Sequence, residues 1–270
     1  ISICEGNILQ ISISKVAWFR AKISLVIMRK QRIFIGGKYG GNQMLIDMHM
    51  HEMRYSGDSF LKLEIMVELA KARGLDAICI TDHDNMGIRD FAEEYSEKTG
   101  FPIFTGIEFF SLQGDIVAMG IKEYPRERIP AQEFITMVKE QGGMCFSAHP
   151  FRNNNRGLEE NLKLVHGLDG VEVLNGSTLY DANKKAAEYA RMLGLATIGS
   201  SDCHVPEKLG LYATFFPEKI QTVEELVKQV KERKCRPAYY ANGSYHLWDM
   251  ESPIDAPFVI RDQSSVACAG

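Results

Sequence analysis

The chain has 270 residues, 45% of them hydrophobic and 24% charged, with a formal net charge of −4 at pH 7. This length allows one large α/β domain with a full core, and the composition is ordinary for a globular protein. No apolar run approaches the roughly 18 residues of a membrane span, so we predict no membrane partner. The six cysteines form no CxxC pair. A disulfide framework is therefore disfavoured, which favours a cytoplasmic location.

Charge is distributed unevenly along the chain. Residues 1–43 contain seven Lys or Arg residues and one acid, which leaves a net charge of −10 on residues 44–270. An acidic body disfavours long nucleic acid as a partner, because affinity for it comes mainly from phosphate neutralisation. We predict that residues 1–43 form a poorly ordered basic extension, with an organelle-type presequence as the alternative.

From residue 44 onward, apolar runs alternate with amphipathic stretches. The runs predict strands at 44–49, 77–81, 103–109, 115–119, 144–148, 170–174, 196–200 and 211–216. Helices are predicted at 60–74, 130–143, 181–194 and 222–233, the last beginning with Thr222 as its cap. Alternating strands and helices imply parallel strands, and seven or eight units imply a closed barrel over residues 44–240. Residues 241–270 form a tail that the pattern leaves unassigned.

Histidines and carboxylates collect at the predicted strand ends, where barrels place their chemistry. The segments are DMHMH (47–51), TDH (81–83), GIEF (106–109), SAHP (147–150) and SSDCH (200–204). They contain five of the seven histidines. A single histidine of this kind is more often a core or turn residue, and TDH alone fits a helix cap. Five at consecutive strand ends instead indicate a metal site, and imidazole with carboxylate suits Zn, Mn or Fe.

This ordered set of motifs resembles the PHP family, named for polymerases and histidinol phosphatase, from about Met44 to Tyr240. The resemblance implies a single-domain, distorted (β/α)7 barrel of the TIM type. It also implies two or three divalent metal ions at the strand ends and hydrolysis of phosphate esters. A long helical insertion that some relatives carry is missing, because only 40 residues separate Glu108 from His149.

The resemblance also implies a role for individual residues. His49, His51 and Asp202 match the ligands of a first metal, and Glu108 matches a carboxylate that bridges the first and second. The other matches are His149 for the second metal and Asp58, His83 and His204 for the third. Many relatives have a further histidine where GDIVAMG offers Asp115, so we expect the second metal to be held more weakly than the others.

The resemblance suggests hydrolysis by a metal-activated water, without a serine or cysteine nucleophile. Cys203 alternates away from its neighbours Asp202 and His204, which favours a packed strand residue. Arg152 is a candidate clamp for a phosphate group, and a bare surface arginine is the alternative. Asp82 is predicted to orient a histidine ligand from behind.

Two other classes of protein are compatible with these motifs. An amidohydrolase-type enzyme also uses HxH, but it commonly adds a strand lysine between its metals, and no strand end here offers one. A non-catalytic PHP module would be expected to have lost ligands. The acidic body favours a small phosphorylated molecule or nucleotide as the substrate. The oligomeric state is not readable from the sequence.

Overall fold

The computed structural model describes residues 41–261, so most of the predicted basic extension lies outside the described residues. The strands of the described chain are β1 (Met44–Asp47), β2 (Ala77–Ile80), β3 (Ile103–Phe110), β4 (Asp115–Met119), β5 (Met144–Ser147), β6 (Gly170–Asn175), β7 (Ala196–Ser200), β8 (Tyr212–Phe216), β9 (Arg236–Ala241) and β10 (Ser244–Leu247). The α-helices are α1 (Leu63–Arg73), α2 (Arg89–Thr99), α3 (Ala131–Glu140), α4 (Tyr180–Leu193) and α5 (Val223–Lys231). A short 3₁₀ helix covers Glu159–Lys163.

The strands form one sheet in the order β10-β9-β8-β1-β2-β3-β4-β5-β6-β7. The pairs β1–β2, β2–β3, β5–β6 and β6–β7 are parallel, as predicted for barrel units. The pairs of β4 with β3 and β5, and of β8 with β1 and β9, are antiparallel. The predicted α/β architecture is confirmed, but the uniformly parallel barrel is not what the described chain forms.

Loop length explains the first of these reversals. Only residues 111–114 connect β3 to β4, which is too short for a crossover helix, so the chain turns back as a hairpin. Ser111 stabilises the turn by donating its hydroxyl to the carbonyl of Gly114 (2.6 Å). As a result Asp115, the first residue of β4, pairs with Phe110, the last of β3.

The sheet curls so that its far edge returns to the first strand. Just beyond β1 and β7, the amide of Asp202 donates to the carbonyl of His49 (2.9 Å), and that of His51 to the carbonyl of Cys203 (3.1 Å). On the other side of β7, the Thr214 hydroxyl donates to the carbonyl of Gly199 (2.8 Å). These contacts bring the carboxyl ends of β1 and β7 together.

The helices cover the sheet with apolar faces. In α3 the side chains of Phe134, Ile135 and Val138 are fully buried, and the Phe134 ring stacks on Phe109 with 4.2 Å between ring centroids. In α5 the predicted cap is confirmed, because Thr222 accepts a hydrogen bond from the Glu225 amide. This packing fixes the strand ends on which the polar cluster is built.

All eight predicted strands and four predicted helices are present, with ends within a few residues of the prediction. The α2 helix was not predicted, because Ala92 is its only buried residue and the apolar periodicity is weak. The strand β9 was also not predicted, and β10 lies in the tail of residues 241–270 that was left unassigned. Among the described residues, no helix is long and apolar enough to cross a membrane.

Candidate metal centre

Four of the predicted ligands converge where β1, β3 and β7 end. This inner group consists of His49, His51, Glu108 and Asp202, all buried. The two imidazole Nε2 atoms lie 3.0 Å apart, and Glu108 Oε2 lies 3.4 Å from each. Asp202 Oδ1 is 3.7 Å from His49 Nε2 and 3.3 Å from His51 Nε2. Two imidazole nitrogens and two carboxylates around one point form a donor set that fits a divalent transition metal.

The other ring nitrogens of the two histidines have partners on the far side. His49 Nδ1 lies 3.2 Å from Glu172 Oε1, and His51 Nδ1 lies 3.2 Å from the Ser56 hydroxyl. Ser56 in turn donates to Asp82 Oδ1 (2.8 Å). A hydrogen bond donated from Nδ1 leaves Nε2 as the lone-pair nitrogen, which is the tautomer that binds a metal. Each imidazole is therefore held with Nε2 facing the inner group.

The protonation of the inner group is set by burial and by its carboxylates. Burial lowers the pKa of His51 to about 3. Burial opposes the charge on His49, but Glu108, Asp202 and Glu172 raise its pKa well above the usual value. Burial likewise disfavours ionised Glu108 and Asp202, yet facing His49 keeps the pKa of both carboxyls well below normal. The group thus concentrates negative charge in a buried space, which is a position suited to a cation.

Asp58, His83 and His204 form an outer group at the rim of the same cleft. Asp58 Oδ2 lies 3.3 Å from His83 Nε2 and 3.3 Å from His204 Nε2. The side chain of Asp58 is 60% exposed, whereas those of His83 and His204 are each 22% exposed. His83 Nδ1 lies 2.7 Å from Glu108 Oε2, so Glu108 connects the outer group to the inner group.

A third set, the side group, consists of Glu108, Asp115 and His149. His149 Nε2 lies 2.9 Å from Glu108 Oε1 and 3.7 Å from Asp115 Oδ2. Their potential ligand atoms all lie within 4.8 Å of one another. Asp115 therefore lies beside Glu108 and His149, at the position where the resemblance to the PHP family implied a further ligand of the second metal. Its two oxygens also accept hydrogen bonds from Arg156.

Two of the candidate ligands have backbone conformations that side chains rarely adopt. His149 has a φ of 25° and Asp202 a φ of 48°. Such residues cost of order 1–3 kcal/mol each and persist where the surroundings impose them. The amide of His149 donates to Glu172 Oε2 (2.6 Å) and that of Asp202 to the His49 carbonyl. The strain is thus maintained by contacts with the inner group and its supporting residue.

The groups open into a cleft of about 340 Å³. Three cations line it, namely Arg152, Arg156 and Lys208. Arg152 donates from Nη2 to Asn175 Oδ1 (2.6 Å) and forms an ion pair with Asp202. Lys208 Nζ donates to the hydroxyl of Ser177 (2.8 Å). A negatively charged floor beneath a positively charged wall can accommodate metal ions and an anionic ligand at once.

The structure brings all eight predicted metal ligands to one cleft or its floor. Asp82 lies behind His51 and is connected to it through Ser56. Arg152 lines the cleft rather than the outer surface. The Cys203 thiol is fully buried and donates to the Val205 carbonyl (3.1 Å), away from the cleft. Lys208, which lines the cleft, belongs to the loop after β7 and not to a strand end. It therefore differs from the strand lysine between the metals that an amidohydrolase-type enzyme commonly has.

Sequence reasoning missed several residues that shape the centre. Glu172 is fully buried in β6 and contacts His49, the His149 amide, Asn175 and the Ser200 hydroxyl. A charged residue within the apolar run GVEVLN was the signal that could have identified it. Asp47, two residues before His49, accepts hydrogen bonds from the amides of Ser201 and Gly210. It therefore anchors both ends of the loop that follows β7 and contains Asp202. Arg156 and Lys208 lie in loops, where no periodicity distinguishes them.

A family model described as PHP-associated matches residues 181–235, a region that contains Asp202 and His204. Two curated relatives come from Methanocaldococcus jannaschii, both named as uncharacterized proteins. MJ1587 is 28% identical over 49% of this chain and 82% of its own length. MJ0417 is 27% identical over 68% of this chain and 75% of its own length.

Solved structures share the fold. A two-domain protein from Bacteroides vulgatus, named for a predicted PHP-like metal-dependent phosphoesterase, superposes with a TM-score of 0.61 at 21% identity, covering 78% of this chain and 70% of its own. An amidohydrolase from Chromobacterium violaceum superposes with a TM-score of 0.53 at 19% sequence identity, covering 73% of this chain and 98% of its own. For a lesion-specific endonuclease from Pyrococcus furiosus the TM-score is 0.54 at 19% sequence identity, covering 76% of this chain and 57% of its own. The resemblance to the PHP family indicated by the sequence motifs is confirmed.

Proposed function

We propose that the chain is a metal-dependent phosphoesterase that hydrolyses a small phosphorylated molecule or nucleotide. The observation that carries this proposal is the inner group, whose nitrogen and carboxylate ligand atoms face one another beneath a cleft lined by Arg152, Arg156 and Lys208. A phosphate ester brings negative charge to that wall, and its hydrolysis needs an activated water. The PHP-like resemblance supports the same class of reaction.

The ligand roles are proposed residue by residue. In the inner group, His49, His51 and Asp202 would hold one ion. Glu108 contacts histidines of the inner, outer and side groups, so it is the carboxylate that more than one ion would share. His149 would hold a second ion. Asp58, His83 and His204 would hold a third ion at the rim.

Bound metal ions supply two kinds of chemistry, lowering the pKa of a coordinated water toward 7 and neutralising charge on a phosphoryl oxygen. The protein contributes orientation. Glu172 and Ser56 hold the two imidazoles with Nε2 facing inward, and Asp82 holds Ser56. Arg152 is tied to Asp202 and Asn175 and faces the cleft, so it can donate to a phosphate oxygen without first becoming ordered.

Cleft size and charge favour a small substrate. A space of about 340 Å³ falls at the lower end of the volumes typical of ligand sites. The acidic body of residues 44–270 disfavours long nucleic acid. Because one structural neighbour is named as a DNA endonuclease, a short oligonucleotide is the alternative substrate to compare.

The test is turnover of an aryl phosphomonoester, an aryl phosphodiester and a short oligonucleotide by the full chain. We expect chelation to abolish hydrolysis, and Mn²⁺ or Zn²⁺ to restore it on at least one of the small esters. Restored metal content without turnover of any phosphate ester would contradict the proposal. The chain would then be either a non-catalytic PHP module or an amidohydrolase-type enzyme. Hydrolysis of amide substrates would distinguish these two hypotheses, since only the second predicts it.

A further inference from the structure

Arg156 forms a partly buried ion pair with Asp115 of the side group. Arg156 Nε donates to Asp115 Oδ2 (2.7 Å), and Arg156 Nη2 donates to Asp115 Oδ1 (2.9 Å). The Asp115 carboxylate is fully buried, and the Arg156 side chain is 32% exposed toward the cleft. This two-point geometry is the strongest form of an arginine–carboxylate contact. Both carboxylate oxygens therefore already have a cationic partner.

Packing around Arg156 fixes its position independently of Asp115. The ring of Phe110 contacts two guanidinium groups, with Arg156 Cζ 4.4 Å from its centroid and Arg128 Cζ 3.5 Å from it. Cation–π contacts at these distances favour a fixed position of the guanidinium against the ring. Phe110 is the last residue of β3, and it pairs with Asp115 of β4 in the sheet.

Backbone contacts bring the Arg156 loop to β4. The amide of Asp115 donates to the Arg156 carbonyl (2.6 Å). Gly114 makes this approach possible, since a Cβ at this position would lie 2.6 Å from the Gly157 carbonyl carbon. The ion pair is therefore built into the fold and does not depend on a freely rotating surface side chain.

The same carboxylate completes the side group. Asp115 Oδ2, which accepts from Arg156, is also the oxygen 3.7 Å from His149 Nε2. Without Asp115, this set offers only Glu108 and His149. A guanidinium beside the carboxylate neutralises its charge and repels a divalent cation approaching the same oxygens. In the inner group Arg152 pairs only with Asp202 Oδ2, whereas Asp202 Oδ1, the oxygen that faces His49 and His51, has no guanidinium partner among the described hydrogen bonds and ion pairs.

We infer that Arg156 tunes metal binding at the side group: its guanidinium competes with a divalent cation for Asp115, so the side group binds its ion more weakly than the inner group. The inference rests on the proposed metal centre and adds a residue that controls its occupancy. The weaker binding expected at the second metal site then has two causes. One is the contact of Arg156 with Asp115, and the other is the aspartate itself, which stands where many relatives have a histidine.

The test is a Mn²⁺ titration of the metal-free full chain, comparing the original protein with Arg156→Gln by calorimetry and by counting bound ions after equilibrium dialysis. We expect at least two classes of sites, and the weakest class should bind about tenfold or more tightly in Arg156→Gln. The matched control is Arg128→Gln, which removes the other guanidinium that contacts Phe110 but no bond to Asp115. Its binding curve should match that of the original protein.

Two further variants keep the inference falsifiable. Arg156→Lys retains a positive charge but loses the two-point contact, so the weak class should tighten less than in Arg156→Gln. Adding Asp115→Asn to Arg156→Gln should remove the gain. If the glutamine variant fails to fold, the lysine variant decides, and an unchanged weak class there overturns the inference.

An unchanged weak class in Arg156→Gln, equal tightening in Arg128→Gln, or binding of no ion by any variant would each overturn the inference. Its failure is distinguishable from failure of the proposed function, because the titration involves no turnover. A chain that binds ions as expected but hydrolyses no phosphate ester would refute the function and leave the role of Arg156 intact.

Discussion

The inner and outer groups use similar residues in contrasting surroundings. The four side chains of the inner group are buried, and its histidines are held from behind by Glu172 and Ser56. In the outer group, His83 and His204 are partly exposed and Asp58 is mostly exposed. Buried ligands with fixed partners are preorganised, whereas exposed ligands compete with water. We therefore expect an ion at the outer group to exchange more readily than one at the inner group, with the side group, whose Asp115 is paired with Arg156, binding most weakly.

Removing the charge of Glu108 should have the largest effect, because this residue contacts both groups. Glu108→Gln keeps the shape but removes the negative charge that holds neighbouring cations together. We expect loss of at least one ion and a fall in kcat of several orders of magnitude, measured by metal analysis and steady-state kinetics. Glu93→Gln, an exposed position on α2, is the matched control. A Glu108→Gln variant with near-normal kcat would refute the bridging role.

A smaller loss should follow when only the support of the inner group is weakened. Glu172→Gln removes the carboxylate behind His49 and beneath the His149 amide without touching the cleft. Losses of about 10–100-fold in metal affinity are typical for such partners. Affinity for Zn²⁺ measured by competition with a chelating dye is the direct readout, with the exposed Glu160→Gln as control. Equal affinities in the two variants would show that Glu172 does not position the ligands.

The outer group should tolerate the loss of its carboxylate better. Asp58→Asn removes a charge that is largely screened by water, so we expect less than about a tenfold loss of affinity for one ion. The tight ions of the inner group should be retained, as counted after dialysis. If Asp58→Asn instead removed every ion, the contrast between the two groups would be wrong.

The smallest effect is expected at Cys203, which lies between two candidate ligands in the chain but points away from the cleft. Cys203→Ala should retain most of the activity, because the proposed nucleophile is a water molecule. Replacing a buried cysteine by alanine typically costs about 1 kcal/mol of stability, which thermal unfolding would detect. Loss of turnover with unchanged metal content would argue for covalent catalysis by the thiol.

The sequence predicted the strand ends well because alternation and short apolar runs are local signals. His49 and His51 lie two apart on one strand, so their common direction follows from geometry alone. The direction of β4 did not follow from a strand–helix pattern, since it depends on a four-residue turn. Glu172 and Arg156 could not be assigned roles, because those roles come from contacts with residues 123 and 41 positions away in the chain.

Anomalous diffraction from crystals of the Zn²⁺-loaded chain tests the central claim most directly. We predict a peak among His49 Nε2, His51 Nε2 and Asp202, at about 2.0–2.2 Å from its ligand atoms, with Glu108 beside it. A weaker peak is expected at the outer group. Zinc found elsewhere on the protein, with the His49 and His51 nitrogens still in direct contact with each other, would contradict the account.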